Sequence, residues 1–154
     1  MGGGVGLAAA CDIAIGSDAA VFAMSEVRLG LVPATIAPYV VRAIGERHAR
    51  RFFQTGERMD AATALRIGLL HEVVPAAELD ARIGKMIEAI LLGAPLAQVS
   101  AKELVDVVVN QPIHEEIVQE TSLRIALCRA KPEAVEGLSA FLEKRPPSWA
   151  PRGS

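Results

Sequence analysis

Residues 3–10 are small and apolar without a charge among them, a run that predicts a short buried helix of small residues. Residues 11–16 alternate like a strand. After the turn residues Ser17-Asp18, residues 20–24 predict a second short strand, and residues 25–33 read as a turn and loop ending at Pro33. From residue 36 to residue 44 apolar positions recur at helical spacing, with Pro38 tolerable in a first turn. Gly45 closes that element. Residues 46–54 form a further helix with Arg47, Arg50 and Arg51 on its exposed side. Thr55-Gly56-Glu57 is a turn, Asp60 an N-cap for a helix over 61–67, and Gly68 its C-cap. Residues 69–74 predict a strand stopped by Pro75.

The character then changes. Residues 78–92, 95–109, 112–129 and 132–144 all predict amphipathic helices, three of them opened by proline. The tail Arg145-Pro146-Pro147-Ser148-Trp149-Ala150-Pro151 cannot continue a helix. The expected layout is an α/β portion over residues 1–75 and a helical portion over 76–154, of the kind that packs on a partner subunit.

Composition narrows the class. The 154 residues are 51% hydrophobic with only 4% aromatic, which describes a core of Ala, Val, Leu and Ile. Sixteen Lys+Arg against 18 Asp+Glu leave a net charge of −2, which argues against nucleic acid as the main partner. Cys11 and Cys128 lie far apart without CxxC spacing and read as reduced, packed thiols. No apolar run approaches the ~18–20 residues of a membrane span, and nothing at the start resembles a secretory leader. The expectation is a soluble cytoplasmic protein with no membrane partner.

Few residues can carry chemistry. The run Gly2-Gly3-Gly4 at the mouth of a helix lets backbone N–H groups approach a ligand, either a phosphate or the oxyanion of acyl chemistry; glycine-rich starts equally serve tight packing. It lacks the Lys-Ser/Thr of a P-loop and the later acidic residue of a dinucleotide fingerprint. Glu26 stands in an apolar run whose other charged member is Arg28. It is either a general acid/base, which apolar surroundings favour, or an ordinary loop carboxylate. His48, His71 and His114 have no ligand spacing, so no metal site is expected. Ser25 has no GxSxG setting. Arg47, Arg50 and Arg51, like Lys144-Arg145, are either solvated surface or a contact for phosphate.

Taken in order, Gly2-Gly3-Gly4-Val5-Gly6-Leu7, Ala10-Cys11-Asp12-Ile13-Ala14-Ile15 and Phe22-Ala23-Met24-Ser25-Glu26-Val27-Arg28-Leu29-Gly30-Leu31-Val32-Pro33 resemble the enoyl-CoA hydratase/isomerase (crotonase) superfamily. Ala43-Ile44-Gly45, Thr55-Gly56-Glu57, Val73-Val74-Pro75 and Ala140-Phe141-Leu142-Glu143-Lys144-Arg145 extend the resemblance over essentially the whole chain. It implies a spiral of ββα turns followed by a helical trimerisation region, with homo-trimers or hexamers. It also implies an acyl-CoA thioester substrate, with coenzyme A as part of that substrate and no other cofactor. Gly3 would supply one oxyanion-hole N–H, flanked by Gly2 and Gly4, and Glu26 would be the general acid/base. Lys144 matches a contact for the CoA phosphate.

Two departures stand out. Where two-glutamate hydratases carry a second carboxylate, this chain has Gly6, expected to open space beside the reacting carbons. The usual glycine-rich loop is Pro33-Ala34-Thr35-Ile36-Ala37-Pro38-Tyr39. With Ser25-Glu26-Val27 and Ala43-Ile44-Gly45-Glu46-Arg47, these features resemble most the branch hydrating 3-methylglutaconyl-CoA and isohexenylglutaconyl-CoA, enzymes of leucine and terpene catabolism. A complete member carries further chain before the glycine run, including a second oxyanion N–H, so the sequence reads as a C-terminal portion with incomplete spiral turns. The alternatives are a folded remnant or assembly module without catalysis, and a crotonase-type isomerase, dehalogenase or hydrolase using a lone glutamate.

Overall fold

The computed structural model describes residues 2–151. It divides into two units, one running to Gly84 and one from Lys85 onward.

In the first unit, a helix α1 (Gly3–Ala10) precedes two short strands, β1 (Ile15–Ser17) and β2 (Val21–Ala23). Helix α2 (Ala37–Thr55), β3 (Arg58–Asp60), α3 (Ala61–Arg66) and β4 (Glu72–Val74) follow. β1 pairs in parallel with β4, with Ile15 opposite Glu72, and β2 pairs antiparallel with β3, with Phe22 opposite Met59. A parallel pair cannot be closed by a tight turn, so everything from β2 to α3 serves as the connection between β1 and β4. Val5, Met24, Val40, Phe52, Met59 and Leu69 fill the core between these elements.

The helices begin and end largely where local chemistry demands. The Asp60 side chain accepts the Thr63 N–H at 2.8 Å, the expected N-cap of α3. Gly45 sits inside α2 at φ 72° and ψ 161°, so α2 is two helical runs meeting at a break. Gly56 ends α2 in the left-handed region at φ 58°. A Cβ there would stand 3.3 Å from Ser25 Cα, so glycine is favoured on two grounds.

Several strand expectations shorten. Residues 11–13 bend instead of pairing, because the ladder with β4 begins only at Ile15. Leu69 and Leu70 are apolar because they are buried, not because they belong to a strand. Both N–H groups bond Ala64 O, at 2.9 and 3.1 Å, in the turn that ends α3. Cys11 is exposed, not packed, whereas Cys128 is half-buried.

Helix α4 (Leu79–Leu91) crosses the division. Near its start Arg82 grips Glu72 of β4 with two bonds of 2.6 and 2.5 Å. The second unit contains α5 (Pro95–Val108), α6 (Glu115–Arg129) and α7 (Pro132–Leu142). Glu133, in the first turn of α7, accepts the Leu96 and Ala97 N–H groups at 3.1 and 3.0 Å, capping the positive end of α5 with a carboxylate. α6 begins at Glu115, not at Pro112, because the His114 ring caps it through Nδ1. Glu136 of α7 holds Arg145 with bonds of 2.7 and 2.9 Å and accepts the Ser148 N–H at 2.8 Å, which folds the proline-rich tail back on the helix. The Trp149 ring then lies over Gly137, where a Cβ would stand 3.1 Å from the indole. Among the described residues no single helix is long and apolar enough to cross a membrane.

Candidate active site

The start of α1 and the turn after β2 are tied together by backbone. Gly2 donates its N–H to Ala23 O, and Val5 donates to Gly2 O, both at 2.9 Å. Gly2 has φ 53°, a conformation that side chains resist. A Cβ on Gly2 would stand 3.4 Å from Glu26 Oε1, so the carboxyl group lies against the mouth of α1. The exposed residues Gly3 and Gly4 come next, and nothing lies within 4 Å of where their Cβ atoms would be. Their N–H groups precede the i→i−4 ladder of the helix and stand open to a ligand oxygen.

Glu26 opens a 3₁₀ turn, Glu26–Leu29, where the sequence suggests a turn and loop. Backbone bonds hold the turn: Arg28 N–H reaches Ser25 O at 3.0 Å, and Leu31 N–H reaches Glu26 O at 3.1 Å. Gly30, at φ 72°, ends it. The side chain is the exception. Glu26 Oε2 is buried without a hydrogen-bond partner, alone in this respect among the described side chains. Leaving such an atom unsatisfied costs about 1–3 kcal/mol, a cost folding tolerates most readily where the group has chemistry to do. An amide-bearing helix start and an unsatisfied carboxylate side by side can stabilise a carbonyl oxyanion and exchange a proton next to it.

Gly6 departs from expectation. It is buried, and a Cβ placed on it would stand 2.3 Å from Ile36 Cγ2 and 2.8 Å from Ile36 Cβ. The space beside Gly6 is therefore filled by Ile36, not open for an acyl chain. Nothing in the local sequence around either residue announces this contact, which joins α1 to the residue just before α2.

Lys144 lies in the other unit, at φ 54°. Its own N–H bonds Phe141 O at 3.2 Å, and the Arg145 N–H bonds Ala140 O at 3.0 Å. That pattern is a Schellman cap of α7, with lysine in the position glycine usually takes. Of the arginines on α2, Arg50 pairs with Glu46 at 3.4 Å, and Arg51 grips Glu57 at 2.7 and 3.1 Å. His71 Nδ1 accepts the Ala14 N–H at 3.1 Å, a structural bond that bridges the start of β1 to β4. The groove of about 370 Å³ around Arg51 and Arg58, and that of about 430 Å³ around Cys128 and Trp149, are lined by neither Glu26 nor Gly2, Gly3, Gly4 and Gly6.

Residues 1–152 match the family described as enoyl-CoA hydratase/isomerase. The chain is 35% identical to the probable mitochondrial enoyl-CoA hydratase of Dictyostelium discoideum over 150 residues, covering 97% of this chain and 54% of that protein. A Legionella pneumophila protein, crystallised under the description enoyl-CoA hydratase/isomerase (crotonase), superposes with a TM-score of 0.93 at 49% identity. That match covers 96% of this chain and 57% of the other. An enoyl-CoA hydratase from Shewanella pealeana superposes with a TM-score of 0.90 at 43% identity, over 96% of this chain and 55% of that one. The chain thus spans a little over half the length of the relatives it matches, and over that span the fold is crotonase-like.

Proposed function

The chain belongs to the enoyl-CoA hydratase/isomerase family, and from that premise we propose that it carries one half of an oxyanion hole and the acid/base carboxylate of a site that adds water to a 2-enoyl-CoA thioester. The observation that carries this reading is the buried, unpartnered Oε2 of Glu26, set beside the open amides of α1.

In the proposed reaction the thioester carbonyl oxygen accepts the Gly3 N–H, with Gly2 and Gly4 shaping the approach. Glu26 takes a proton from water as the water oxygen bonds to the β-carbon, and the alkene electrons move onto the carbonyl oxygen. The enolate then collapses and takes that proton from Glu26 at the α-carbon, leaving a 3-hydroxyacyl thioester and the starting carboxylate. Fixed N–H donors favour this path because they need not reorganise as charge develops. Lys144 is proposed to meet a CoA phosphate.

Turnover of a 2-enoyl-CoA, followed by loss of the conjugated thioester absorbance, tests the assignment. Glu26→Gln should lower kcat by ~10² or more, and near-normal turnover in that variant removes Glu26 from the mechanism. The finer proposal, a branched 3-methylglutaconyl-CoA-like substrate, rests on residues 25–27, 33–39 and 43–47, since Ile36 occupies the room expected at Gly6. A preference for the linear substrate would defeat it. A second reading, double-bond isomerisation, is favoured by the closed position 6, which leaves Glu26 to shuttle a proton unaided. Incorporation of ¹⁸O from labelled water separates the two.

A homo-trimer or hexamer is proposed for the assembly. Its support is the apolar surface left bare on the helical unit, with Phe141 80% and Leu142 78% exposed. A monomeric mass in sedimentation equilibrium would refute it.

A further inference from the structure

Resting on that functional reading, the geometry points to Ile36 as a positioning residue that seats α1 and thereby sets the Gly3 amide against Glu26. Ile36 stands just before α2, is only 8% exposed, and bonds Val40 N–H through its carbonyl at 3.0 Å. What meets α1 is its branch, Cβ and Cγ2, against the bare Cα of Gly6. A β-branched side chain holds χ1 stiffly, so this contact cannot yield by a rotamer change as the tip of a lysine would.

Ile36 also ends the segment that leaves Glu26. Leu31 N–H bonds Glu26 O, Ala34 N–H bonds Val32 O at 2.8 Å, and Ala37 N–H bonds Pro33 O at 2.9 Å, so little slack separates the carboxylate from Ile36. The helix start is therefore located from two sides: Gly2 N–H on Ala23 O, and Gly6 on Ile36. The same contact closes position 6 to every side chain and keeps the site at one carboxylate.

Two substitutions separate seating from mere filling. Ile36→Val keeps Cβ and Cγ2, whereas Ile36→Leu keeps the volume but moves the branch outward by one carbon. The Gly3 amide resonance in ¹H–¹⁵N spectra of the full chain should stay in place in Ile36→Val and shift in Ile36→Leu. A core filler would leave it in place in both. Gly6→Ala should lower the melting temperature by about 4 °C or more in the native background. It should cost little in an Ile36→Gly background, where the obstructing branch is gone. With a 2-enoyl-CoA, Ile36→Leu should lose about tenfold in kcat at unchanged KM, the signature of a misplaced group. An unmoved Gly3 amide in Ile36→Leu, or a Gly6→Ala chain as stable as the native one, overturns the inference. Absence of turnover in the native chain defeats the hydratase reading instead, and the amide and melting results still decide the seating.

Discussion

Lys144→Gly separates the capping role of Lys144 from its proposed contact with CoA. Lys144 holds φ 54° at the end of α7, and an L-residue in that region costs about 1 kcal/mol that glycine does not bear. Glycine gives back about 0.5–1 kcal/mol through its freer unfolded chain. The net expectation is a stability change between zero and about +0.5 kcal/mol, or a rise of up to ~2 °C in melting temperature. The ammonium, however, is gone. An exposed ion pair with a phosphate contributes about 0.2–1 kcal/mol, so CoA affinity should fall by up to ~5-fold at low salt, and less at high salt. Titration calorimetry with CoA and a thermal melt read both effects on one sample. Lys144→Ala is the comparator: it should lose the affinity equally while keeping the backbone cost. Unchanged CoA affinity in both variants would confine Lys144 to capping. A drop in stability beyond about 1 kcal/mol in Lys144→Gly would refute the account of the left-handed cap.

Other outcomes follow from the helical unit. Glu133→Ala should cost about 1 kcal/mol by uncapping α5, seen in chemical denaturation, while Glu133→Asp recovers part of it. The carboxyl of Glu136 is held at about 2, below its ordinary 4.5, chiefly by hydrogen bonds from Arg145 and then from the Ser148 N–H. The ionised form is thus the one the fold favours. Its stabilisation is complete above pH 4.5 and is lost progressively as pH falls from 4.5 towards 2. Trp149, the chain's single tryptophan, adjoins Ser148 and should report release of the tail by its fluorescence in that window. Glu136→Gln should abolish that transition. A tail signal flat from pH 5 to pH 2 in the native chain would refute the clamp.

What the sequence made legible was local. The α1 helix, the Gly45 break, the Gly56 turn and the Asp60 cap each depend on residues within a few positions, so residue type alone reveals them. The strands were misjudged because pairing decides them. Arg58–Asp60 has no alternating pattern, yet it becomes β3 because Phe22 stands opposite Met59, while Leu69 and Leu70 look like strand and are core plugs. Glu26 could be singled out by its apolar setting and its resemblance. Its unsatisfied oxygen could not, since that depends on what the folded chain fails to bring near it. The seating of Gly6 on Ile36 and the capping of α5 by Glu133 escaped for the same reason: each joins elements far apart in sequence.

The parallel pairing of β1 with β4 also dictates an order of events. Ala14 and His71 bond each other across 57 residues, and Ile15 has no ladder partner until Glu72 exists. During synthesis, then, β1 leaves the ribosome long before the strand that completes its sheet. Closing so long a loop is slow, and until it closes the backbone groups of β1 lack their ladder partners and are prone to wrong contacts. The capped helices of the second unit depend on nearer neighbours and should form quickly by comparison. Refolding should accordingly show an early helical phase, followed by a slower one in which the amides of β1 gain protection together with those of β4.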